Sequence, residues 1–110
     1  MIQGTIAKIE EKIQKADTLD DRNRKELLTL VSNLKTEVTQ LSATHGEQAE
    51  SIAGFTALSA HEATREQKNP RLLTLALDGL ASSVKGFENT HPGLVETVNS
   101  ICDTLAKMGI

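Results

Sequence analysis

Three histidines, one cysteine and a scatter of carboxylates are the side chains in this 110-residue chain that could hold a metal or attack a bond. His61-Glu62 begins the H-E-x-x-H helix of zinc proteases, where two imidazoles on one face share a metal and the glutamate activates water. Position 65 is Arg, so the second ligand is missing and the pair reads as solvated helix surface. Glu88-Asn89-Thr90-His91 has the E-x-x-H spacing of di-iron bundles. That chemistry needs two such copies and two further carboxylates on facing helices. One copy at a helix end predicts a cap beside Pro92 instead. His45 lies in a loop with Gly46 and is assigned no site. No Cys/His pair has zinc spacing.

Cys102 sits on the edge of an apolar helix face and reads as a core thiol rather than a nucleophile. No G-x-S-x-G is present, and the seven glycines are too scattered to cradle a phosphate. Arg22, Arg24 and Lys25 are interleaved with Asp20, Asp21 and Glu26, as in a solvated first turn. The residues therefore predict no catalytic group, metal ligand or cofactor. Trp and Tyr are absent, and Phe55 and Phe87 are the only aromatics. Modules that bind nucleic acid by stacking bases need more rings than that. Twelve basic residues against fifteen acidic give a net charge of −3, where a phosphate-backbone binder would show a basic excess. A lone cysteine, no basic-then-apolar start and no apolar run near the roughly 18 residues of a membrane span predict a cytoplasmic protein without a membrane contact.

The elements that position these residues are helices. No strand alternation or hairpin dipeptide occurs. Residues 2–16 carry Ile2, Ile6, Ile9, Ile13 and Ala16 at spacings of 4, 3, 4 and 3, a narrow seam with charged flanks. Asp20 or Asp21 caps a second helix over 20–41, with the stripe Leu27, Leu30, Val31, Leu34, Val38 and Leu41. Thr44-His45-Gly46-Glu47 reads as a capping box for a third helix over 46–68. That helix has few bulky residues (Ile52, Phe55, Leu58), many small ones, and a polar tail from Glu62 to Lys68. Asn69-Pro70 restarts the chain for a fourth over 70–88. Pro92 starts a fifth over 92–108, lined by Leu94, Val98, Ile101, Leu105 and Met108, with Gly109-Ile110 as a left-handed ending.

The fourth helix carries two stripes. Leu73, Leu77, Leu80, Val84 and Phe87 form one; Ala76, Gly79, Ser83 and Gly86 continue a second from Leu72. Interior glycines cost about 1 kcal/mol each, a cost most simply explained by a close neighbouring helix. The expected architecture is a single all-α domain over 1–110, an antiparallel bundle of four to five helices with helix 4 central. Its expected packing and interface residues are Ala76, Gly79, Ser83 and Gly86, with Ile6, Ile9 and Ile13 on the first helix.

The run Phe87-Glu88-Asn89-Thr90-His91-Pro92-Gly93-Leu94, with the terminal Met108-Gly109-Ile110, resembles a family of short bacterial proteins with no assigned activity, domain-of-unknown-function family 4404. Members look like F-E-x-x-H-P-x-L followed by an apolar helix and a terminal M/L-G-I. The resemblance implies that Phe87, Glu88, His91, Pro92 and Leu94 form one unit of helix end, break and restart. It also sets residues 46–70 apart as a helix that shorter members lack, and it brings no catalytic residues. The resulting expectation is a non-enzymatic helical interaction or structural protein that forms a homo-oligomer, a dimer first, or docks on another protein. The alternatives are a small-molecule- or metal-binding bundle and a nucleic-acid-associated regulator.

Overall fold

The computed structural model describes residues 2–108. Five helices follow one another: α1 (Ile2–Lys15), α2 (Asp21–Ser42), α3 (Gly46–Thr64), α4 (Pro70–Ser83) and α5 (Pro92–Met108). No strand occurs among the described residues. The Gly109-Ile110 ending lies outside them. Consecutive helices pack against each other across short connections, which makes them antiparallel neighbours. The stripes read from the sequence supply the core: Ile6, Ile9 and Ile13 on α1, Leu27, Val31, Leu34, Val38 and Leu41 on α2, and Leu94, Val98, Ile101 and Leu105 on α5 are all buried.

The centre of the bundle is α3, not the fourth helix. α3 packs against all four other helices, whereas α4 touches only α3 and α5. The reason is side-chain size. Ala49, Ala53, Thr56, Ala60 and Ala63 recur at spacings of 4, 3, 4 and 3 along one buried stripe of α3, and Ile52, Ser59, Glu62 and Thr64 widen it on either side. Small residues along so wide a stripe let several neighbouring helices approach closely. Thr56 and Thr64 satisfy their hydroxyls by donating to the carbonyls one turn back, Ile52 and Ala60, at 2.7 Å each. The segment set apart by the family resemblance is therefore the axis of this fold rather than an addition to it.

Two helices end earlier than their sequence patterns suggest. α3 stops at Thr64, four residues short of 68. Only the end of its polar tail is solvated: Glu66, Gln67 and Lys68 are exposed, whereas Glu62 is buried and pairs with Arg65 at 2.8 Å. Thr18 Oγ1 donates to the Thr64 carbonyl at 2.9 Å, and Lys68 Nζ donates to that of Ala63, so the last carbonyls are served from outside the helix. α4 stops at Ser83 rather than 88. Gly86 follows at φ +97°, a left-handed conformation that costs glycine little and other residues much. Val84 is still buried and Phe87 half-buried, so the apolar spacing runs past the helix end into the turn.

The caps are mixed. Asp20 accepts from the Asn23 amide at 2.8 Å and Asn69 from that of Leu72 at 3.1 Å. The T-x-x-E capping box does not form. α2 continues through Ser42, so Thr44 is used to close it, donating to the Leu41 carbonyl at 3.4 Å, and His45 becomes the N-cap of α3 without a side-chain bond to the helix. Arg24, read from sequence as part of a solvated turn, caps α1 instead. Its guanidinium donates to the carbonyls of Ile13, Gln14, Ala16 and Leu19 at 2.6, 2.9, 3.0 and 2.9 Å.

Candidate functional site

The residues expected at an interface separate into three fates. Ile6, Ile9 and Ile13 are spent inside the chain's own core, where α1 meets α2 and α3. Ala76 is buried likewise. Gly79 and Ser83 are half-buried, and Ser83 Oγ donates to the Leu80 carbonyl at 2.6 Å. Gly86 is exposed in the turn, held there by its backbone conformation and not by a close neighbour.

A different face stays open. Among the described residues, the large hydrophobic side chains left in solvent are Phe55 at 37%, Leu58 at 46%, Leu72 at 42% and Leu75 at 57% exposure. All four lie on α3 and α4. The two rows share one seam, because the Phe55 ring lies directly over Gly79, where an added Cβ would come within 2.6 Å of Cδ1. Gly79 thus makes room for a phenyl ring, where the sequence suggested a helix backbone. Beside the ring is a shallow depression lined by Ser51, Ser82 and Ser83 as well as Phe55 and Gly79. Gly79→Ala should leave stability nearly unchanged in the parent chain. There the helix gain of about 1 kcal/mol is offset by displacing the ring. In a Phe55→Ala background the full gain should appear in urea unfolding. Equal gains in both backgrounds would mean that the ring does not occupy that space.

At one end of the bundle the α2–α3 turn meets the α4–α5 loop, and three rings converge there. Phe87 makes edge-on contacts with His45 at 5.4 Å and His91 at 5.5 Å between ring centres; the two imidazoles are 6.2 Å apart. The family resemblance implies that Phe87, Glu88, His91, Pro92 and Leu94 form one unit of helix end, break and restart, and α4 ends before it and α5 begins at Pro92. Glu88 Oε1 accepts from the Gly86 amide at 2.9 Å, across the left-handed turn. The His91 amide donates to the Phe87 carbonyl at 2.8 Å, and Leu94 is buried one turn into α5. His45 joins this group from a distant part of the chain. The only sequence signal for it is the repeated Thr-His pair, Thr44-His45 and Thr90-His91.

The other chemical groups are quiet. Cys102 is half-buried, and its thiol lies 4.0 Å from the Leu77 carbonyl. Burial, then the carboxylates of Asp103 and Asp78, push the thiol up to about 11, so little thiolate forms at neutral pH. A groove between α1 and the end of α3 gathers Lys8, Lys12, Lys15, His61 and Arg65, but Glu11, Asp17 and Glu66 line it too. Lys15 is paired with Glu11 at 2.8 Å, which lowers the carboxyl and raises the amine from their ordinary values. No group of three or more His, Cys, Asp or Glu side chains among the described residues is placed to hold a metal ion. No helix among them is long and apolar enough to cross a membrane.

Residues 55–110 match the family model described as a domain of unknown function, DUF4404. The matched stretch begins inside α3 and takes in α4, the ring-bearing loop and α5. It therefore includes the whole F-E-x-x-H-P-x-L unit. No curated protein and no solved structure matches the chain.

Proposed function

We propose that this chain, which belongs to the DUF4404 family, is a non-enzymatic helical interaction protein of the cytoplasm that pairs with a second copy of itself through the outer seam of α3 and α4. One observation carries this reading: among the described residues, the large exposed hydrophobics are confined to that seam, while the other apolar stripes are turned inward. Scattered apolar residues on a surface need no explanation, but four on two adjacent helices form a patch of the kind that marks an interaction site. A second copy suits the patch because it carries both halves of a contact. Leu58, Leu72 and Leu75 protrude, and the Ser51–Gly79–Ser82 depression lies further along the same seam. A two-fold axis across the seam brings each copy's leucines towards the other's depression.

The expected contact is modest in strength. Each side chain is already partly covered, so each contributes less than the roughly 1.5–3 kcal/mol of full burial. The sum must also exceed the cost of association. Light scattering from 1 to about 100 μM should show a monomer–dimer equilibrium in the range typical of weak interfaces. Leu75→Glu should shift it at least tenfold towards monomer with the helical circular dichroism unchanged. A strict monomer at tens of micromolar, or a dimer indifferent to Leu75→Glu, would sink the reading.

A further inference from the structure

The two imidazoles in the ring cluster are presented in the same way. Each follows a threonine and precedes a helix, and each backbone carbonyl takes the first hydrogen bond of that helix, from Ala49 at 2.9 Å and from Val95 at 3.3 Å. In each, Nδ1 lies on its own threonine hydroxyl, at 2.8 Å for His45 and 3.0 Å for His91. In both residues this contact is satisfied by the tautomer that donates from Nδ1 to the threonine oxygen. That tautomer leaves the lone pair on Nε2. Among the described residues, neither Nε2 has a hydrogen-bond partner. Both rings are half-buried, open to solvent on one side and walled by Phe87 on another.

We propose that His45 and His91 form a two-imidazole site for zinc(II) or a chemically similar divalent transition ion, with water in the remaining positions. Three observations support it together. Two neutral imidazoles are the preferred donors for such ions. Their other ring nitrogens are engaged by threonine hydroxyls, the outer-shell arrangement that fixes tautomer and orientation in metal-binding histidines. The distance is also workable: zinc-bound imidazoles at the tetrahedral angle hold ring centres about 5 Å apart. The observed 6.2 Å is about 1 Å longer, so binding requires the two partly exposed rings to draw together. Bound there, the ion links the turn before α3 to the loop before α5. The site is at the bundle end, apart from the α3–α4 seam, and does not depend on self-association.

The test is zinc(II) titrated into the untagged full chain, followed by the imidazole ring-proton signals. His45 and His91 should shift together and saturate at one zinc per chain, with His61 unmoved at the far end of α3. His45→Asn and His91→Asn should each weaken zinc binding at least tenfold. His61→Asn and Cys102→Ser should leave it within twofold. Zinc should also raise the thermal midpoint of the parent chain and not of the His45→Asn chain, because the ion binds the folded form. The proposal is overturned if His61 shifts as much as the other two, if either asparagine variant binds within twofold of the parent, or if saturation requires more than one zinc. Should a variant fail to fold, the pattern of ring shifts in the parent chain decides alone.

Discussion

Ile52→Ala should lower the free energy of unfolding by about 2–5 kcal/mol, the range for emptying a well-packed isoleucine site. Ile52 has no exposed surface and lies on α3, where the neighbouring core positions are alanine, serine and threonine. Short side chains around it cannot reach into the space left behind, so the cavity should persist and the cost fall in the upper half of that range. Leu58→Ala, on the same helix but facing outward, should cost about 0.5 kcal/mol or less in the monomer. Urea unfolding of both variants checks the pair. A small domain has about 5–15 kcal/mol in hand, so Ile52→Ala removes a large share of it. Similar losses at both positions would mean that the Ile52 side of α3 is no more enclosed than the Leu58 side.

Arg24→Met should cost about 2–4 kcal/mol, although the residue looks like one of several charges in a polar turn. Charge-assisted hydrogen bonds contribute about 1.5–3 kcal/mol each when isolated, and four sharing one guanidinium contribute less than their sum. The carbonyls of Ile13, Gln14 and Ala16 are those that the end of α1 leaves unpaired, and the cation also suits the negative end of the helix dipole. Methionine keeps the apolar stem and removes the donors. Arg24→Lys should recover only part of the loss, because a single ammonium cannot reach four carbonyls spread over seven residues. Amide exchange should quicken at the end of α1 before anywhere else. A loss below about 0.5 kcal/mol would mean that water replaces the guanidinium without penalty.

The sequence made the outer elements plain and hid the middle one. The isoleucines of α1 and the leucines of α2 and α5 recur with a helical period because each helix buries one face. The buried stripe of α3 is built of alanines, threonine and serine, which mark a core face less plainly than leucines do, and the two stripes of α4 pointed to the fourth helix instead. The end of α4 was obscured because Val84 and Phe87 keep the helical spacing after the backbone has turned left-handed at Gly86. Of the site, the Phe87-to-Leu94 unit was legible from its proline and its neighbours. His45 was not: its partners lie more than forty residues away, and only the fold brings the two Thr-His pairs together. Arg24 was hidden for a different reason: its partners lie only 5 to 11 residues back, but a guanidinium that reaches carbonyls looks in sequence like any surface charge.

α1 and α4 share no contact, and each is held to the rest partly through α3. A load applied to the leucines of α4 reaches α1 through that one shaft or by the longer path through α5 and α2. Its buried stripe is built largely of alanines, which have no rotamers in which to absorb a displacement. Movement at one flank is then relayed to the other as a tilt or slide of an intact rod.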